Sequence, residues 1–105
     1  MSVATSNRRV TAETQAVEAL LAEHFDGVEA YRFNPASIRV RILDERFRGL
    51  TKSARLSMVE PWLAKLPEDI ETDIVFILLI AAGEEELPDF SLMNRDFEQP
   101  RRTRL

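Results

Sequence analysis

Between positions 39 and 55 the chain carries six basic residues, Arg39, Arg41, Arg46, Arg48, Lys52 and Arg55, against two acidic ones, Asp44 and Glu45. Such a cluster is chemistry for anions, because guanidinium forks and an ammonium hold phosphate or carboxylate oxygens through charge-assisted hydrogen bonds. Arg39, Arg41, Arg48, Lys52 and Arg55 are therefore the candidate binding residues. The whole chain has a net charge of −4. The cluster is thus a local patch on an acidic molecule, which disfavours a general polyanion binder.

Catalysis has less to work with. The chain has no Cys, which excludes disulfides, thiolate nucleophiles and zinc–thiolate sites. Its one His, His24, excludes a multi-histidine metal site. His24 lies near a helix C-terminus, where the macrodipole favours it, and no catalytic role is assigned to it. Ser37, Ser53 and Ser57 lie in no Gly-x-Ser-x-Gly elbow. Gly27, Gly49 and Gly83 are isolated and make no phosphate-cradling loop. Glu84-Glu85-Glu86 reads as a solvated acidic edge after a strand. No catalytic residue, metal ligand or cofactor is assigned, and the chain is read as not an enzyme.

The elements that must position the basic residues follow from periodicity. At 105 residues, 45% hydrophobic and 30% charged, the chain has the composition of one globular domain. Residues 1–10 read as a flexible leader, 11–86 as the folded domain and 87–105 as a C-terminal tail. Val17, Leu20, Leu21 and Phe25 fall at helical spacing, with Thr11 as N-cap and Gly27 as a left-handed residue after the end, giving a helix over 12–25. Val28 to Phe33 and the strictly alternating Ile38-Arg39-Val40-Arg41-Ile42 flank Asn34-Pro35-Ala36-Ser37, which predicts an antiparallel hairpin. Its alternation turns Arg39 and Arg41 away from the core.

Leu56, Val59, Leu63 and Leu66 predict helix over 52–66, interrupted by Pro61. Proline removes a backbone hydrogen bond and clashes with the carbonyl of Ser57, so a kink and restart near Glu60 are expected, Ser57 and Glu60 forming a capping box. Pro67-Glu68-Asp69 should end that element. Ile74 to Ala82 is uninterrupted apolar, as expected of a strand covered on both faces or lying centrally in a sheet, and it is placed as the central strand. Its nine residues are less than half of the roughly 20 needed to span a bilayer. With no secretory-type apolar stretch near the start, a cytoplasmic protein without membrane contact is expected. The fold class is α+β: a three-stranded mixed sheet with helices packed on one face, in the order helix, strand, strand, kinked helix, strand.

Arg41 to Leu50 followed by Thr51-Lys52-Ser53-Ala54-Arg55-Leu56-Ser57-Met58-Val59 resembles the BolA family. Phe47 and Gly49 match its Phe-x-Gly, and Arg55 matches the first Arg of its helix motif. The resemblance covers about 12–82 and implies a BolA-like, KH-like fold of the order α-β-β-α-α-β. It also implies partnership with a monothiol glutaredoxin through a shared two-iron two-sulfur cluster. This chain departs from the family at the ligands: the cluster-binding His position is Leu56, and Asn34-Pro35-Ala36-Ser37 lacks the second ligand. Such clusters want thiolate or imidazole, so no cluster is expected. Arg48-Gly49-Leu50-Thr51-Lys52 is similar to the Gly-x-x-Gly loop of KH modules, with Lys52 in place of the second glycine.

The reading that follows is a non-enzymatic interaction or regulatory protein on a BolA-like scaffold without iron–sulfur ligation. Its expected partner is a protein, a homodimer being one form of this. The alternative is a nucleic-acid-binding module using the basic strand–loop–helix surface from Arg39 to Arg55. Trp62 and Ile74 to Ile80 are expected in the core. Leu87, Phe90, Leu92, Met93 and Phe97 are too many large apolar groups for an idle tail, so the tail is expected to pack on the domain's open sheet face, a second copy or a partner.

Overall fold

The computed structural model describes residues 10–88 together with Phe90, Asn94 and Phe97. The expectations for residues 1–9 of the leader, and for Leu92 and Met93, lie outside the described residues.

Helix α1 spans Ala12–Ala22. Its start is fixed by a reciprocal cap: the Thr14 N–H donates to Thr11 Oγ1 at 3.2 Å, and the Thr11 N–H donates to Thr14 Oγ1 at 2.9 Å. It stops three residues before the expected end. The chain turns there so that Phe25 enters the core and stacks on Phe47, ring centroids 5.9 Å apart. Gly27 is not left-handed, the positive-φ glycines being Gly49 and Gly83; it is the first residue of strand β1.

Strands β1 (Gly27–Asn34) and β2 (Ser37–Leu43) form the antiparallel hairpin. The Asn34 side chain closes the turn by accepting from the Ala36 N–H at 2.8 Å. Helix α2 (Lys52–Leu63) starts at Thr51, whose hydroxyl accepts from the Ala54 N–H at 3.1 Å. It runs through Pro61 without the expected restart, the last turn continuing to Leu63 although the proline cannot donate to the Ser57 carbonyl. A separate short helix, α3 (Glu68–Asp73), follows Pro67, with Glu68 and Asp69 in the first turn where the helix dipole favours carboxylates. The α-β-β-α-α-β order is therefore present, but its fifth element is α3 and not the far side of a kink at Pro61.

Strand β3 (Ile74–Ile80) pairs parallel with β2, giving the mixed sheet order β1-β2-β3. The apolar run is thus an edge strand and not the central one. Its sequence is uninterrupted because layers cover both of its faces toward the C-terminal end. On one face the helices bury Val17, Leu21, Ile38, Val40, Ile42, Phe47, Val59, Ile70 and Leu79. On the other, Phe90 and Phe97 pack with Tyr31, Leu78 and Ile80. The start of β3 is less enclosed: Val75 is 65% exposed and Ile74, Phe76 and Ile77 are half-buried. Ile38 pairs with Ile74 but Arg39 pairs with Phe76, so Val75 is an extra, bulged residue.

Each outer strand is met by a charged helix side chain. Glu18 of α1 accepts from the Ala30 N–H of β1 at 2.7 Å. Arg55 of α2 donates to the Leu79 carbonyl of β3 at 3.0 Å. Among the described residues no helix is long and apolar enough to cross a membrane.

Candidate functional site

Thr51 sets the start of α2, which places Arg55 one turn in and on the same face as Val59, looking at the end of β3. After β3 the chain reverses at Gly83, whose φ of +91° is open to glycine at no steric cost. The reversal returns Glu84 to the same point. Arg55 is 4% exposed and Glu84 8%. The pair is bidentate, with Nη1 to Oε1 at 2.7 Å and Nη2 to Oε2 at 3.0 Å. Arg55 Nε also donates to the Leu50 carbonyl at 3.0 Å, and Glu84 Oε1 accepts from the Ala81 N–H at 2.8 Å. These bonds, Arg55's first among them, hold the Glu84 carboxyl below its ordinary range.

Two expectations are corrected here. Arg55 is enclosed and held by the Glu84 carboxylate and two backbone carbonyls, so it is not presented to a phosphate. Glu84 is the buried partner of an arginine and not part of a solvated acidic edge.

The other four candidates do not share one surface. Arg39 and Arg41 lie on the second sheet face. The Arg39 guanidinium sits 3.8 Å from the Phe33 ring centroid and 5.1 Å from that of Phe76. Arg41 pairs with Glu29, bonds Asn94 Oδ1 and lies 5.2 Å over Phe97. Arg48 pairs with Glu45 and donates to the Ala82 carbonyl at 2.6 Å. Lys52 is exposed, its Nζ 5.4 Å from the Phe90 centroid, with no carboxylate partner among the described residues.

Lys52 stands at the rim of a cleft of about 150 Å³, lined by Arg55, Leu56, Ile77, Leu78, Leu79 and Phe90. Helix α2 forms one wall, Phe90 the other, and the outer edge of β3 the floor. The Arg55 charge is neutralised by Glu84, so the cleft presents apolar surface and one ammonium. These lining residues include no hydroxyl, imidazole or free carboxylate.

The iron–sulfur arrangement implied by the BolA resemblance does not fit. The position of the helix ligand is Leu56, in the apolar wall of this cleft. His24 is stacked on Trp62 instead, centroids 3.5 Å apart with planes at 10°. Among the described residues no group of three or more His, Asp or Glu could hold a metal ion.

Sequence reasoning missed the cleft, the burial of the Arg55–Glu84 pair, and Phe90 as a wall. One signal was present: Arg55 precedes Val59 by four residues, which puts it on the buried face of α2. No protein-family model, no curated protein and no solved structure matches the chain.

Proposed function

We propose that this chain is a non-enzymatic interaction module on a BolA-like scaffold, docking a protein partner at the cleft between α2, β3 and Phe90. The observation that carries this reading is the composition of that cleft: an apolar enclosure with a single cation at its rim and no reactive group in its lining. Apolar enclosures with few, placed polar groups are the usual form of a binding site.

The nucleic-acid reading is weaker on the same geometry. Arg41, Arg48 and Arg55 hold carboxylates within the chain, and Arg39 lies between two aromatic rings. Contact with phosphate would require breaking those pairs first.

Affinity capture from native lysate, with and without nuclease and washed at rising salt, separates the two. A protein retained by the intact chain and lost with Lys52→Glu supports the module. Retention of nucleic acid alone, with affinity falling steeply and linearly in log salt, overturns it.

A further inference from the structure

We infer that the cleft takes a short extended segment of an acidic partner protein, laid along β3, with one large apolar side chain in the cavity and a neighbouring Asp or Glu on Lys52. The inference rests on the proposed interaction module and specifies what that module recognises.

The backbone of β3 dictates the mode. Ile80 turns its carbonyl toward β2, where the Asp44 N–H donates to it at 3.0 Å. Leu79 turns its carbonyl the other way, to Arg55. Alternation along the regular register from Phe76 to Ile80 then points the N–H and C=O of Ile77 outward, together with the N–H of Leu79. Val75, one step further back, is the bulged residue. The open stretch is therefore bounded at one end by the bulge and at the other by the Arg55 guanidinium. It has room for the backbone of about one ladder step of an added strand.

That limit decides against a second copy pairing through β3, since two long edges could not align across a bulge and a blocked carbonyl. It suits a peptide that contributes two or three residues in extended form. Side-chain recognition follows from the cavity. An apolar space of about 150 Å³ holds a benzene-sized group, which matches Leu, Ile or Phe against Leu56, Ile77, Leu79 and Phe90. Lys52 supplies the charge preference: exposed and without a carboxylate partner among the described residues, it favours a carboxylate beside the apolar anchor.

The test is selection of displayed random heptapeptides on the full chain and, in parallel, on Lys52→Glu, an exposed substitution away from the core. Peptides enriched on the intact protein are expected to pair Leu, Ile or Phe with an adjacent Asp or Glu. On Lys52→Glu the adjacent preference should turn to Lys or Arg, and the acidic peptides should bind about tenfold more weakly. N-methylation of the residue opposite Ile77 should weaken binding by about threefold to tenfold, as one backbone hydrogen bond is lost. Equal enrichment on both proteins, or indifference to N-methylation, overturns this site while leaving an interaction module that docks elsewhere. Failure to enrich any peptide overturns the site as well, and lysate capture then decides the module separately.

Discussion

Arg55 and Glu84 illustrate how a buried ion pair behaves at the scale of single residues. Two charges taken out of water stabilise little against an apolar pair of the same volume, but one left alone is costly. Arg55→Ala is expected to destabilise by about 3–5 kcal/mol. Arg55→Met combined with Glu84→Leu should cost less than Arg55→Ala alone, which urea melts of the variants would measure. Asp44 behaves differently, because its value depends on pH. It is 3% exposed and accepts from the Arg46 guanidinium at 2.8 and 2.9 Å, from the Arg46 N–H at 2.9 Å and from the Asp26 N–H at 3.1 Å. The Arg46 side chain is the main reason its carboxyl is lowered from 3.8 to about 2. A lowered folded value means the stabilisation is fully present above pH 3.8 and is lost as pH falls through about 2. It is worth about 1–2 kcal/mol after allowance for the exposed Arg46. Asp44→Asn should therefore narrow the stability difference between pH 6 and pH 2.5; an unchanged difference in melting midpoint would show that Asp44 is not its source.

At the scale of elements, Pro61 is a cost carried inside α2. Pro61→Ala restores a donor toward Ser57 and should raise stability by about 1–2 kcal/mol, the interior penalty less the entropy regained by the unfolded chain. Chemical denaturation with a higher midpoint and unchanged slope is the expected readout. Along β3, Leu79→Ala should cost about 2–5 kcal/mol, while Val75→Ala, at a bulge and 65% exposed, should stay within about 0.5 kcal/mol. Much of this layout was legible in the sequence. Strict alternation from Ile38 to Ile42 and the Asn-Pro turn specify the hairpin, and Thr11 specifies the start of α1. α3 was not legible, because six residues containing one buried apolar side chain, Ile70, carry no periodicity. The edge position of β3 was not legible either: apolar continuity reports covered faces, and faces say nothing of which neighbours a strand has. The cleft stayed hidden for a related reason, since its walls meet only when Gly83 reverses the chain and Phe90 comes back over β3.

Over the whole molecule, the sheet is a three-layer object and depends on both coverings. Phe90 and Phe97 are 7% and 2% exposed, and complete burial of each contributes about 1.5–3 kcal/mol. Truncation after Glu86 is thus expected to lower stability by at least about 3 kcal/mol and to raise scattering mass, as Tyr31, Leu78 and Ile80 become solvent-facing. Equal melting temperature and equal mass for the truncated and full chains would contradict that packing. The charged side chains that meet β1 and β3 have a consequence for the chain's fate outside its native state. Glu18 and Arg55 reach those strands only because α1 and α2 are in place, so unfolding removes both contacts while releasing Ile74 to Ile80. That stretch has no charge, proline or glycine, the composition from which cross-β fibrils nucleate. Fibril lag time, followed by thioflavin fluorescence, is therefore expected to shorten across the destabilised variants above in order of their unfolded fraction. Arg55→Ala should be faster than its global stability alone accounts for, because it also uncovers a strand edge in the molecules that remain folded.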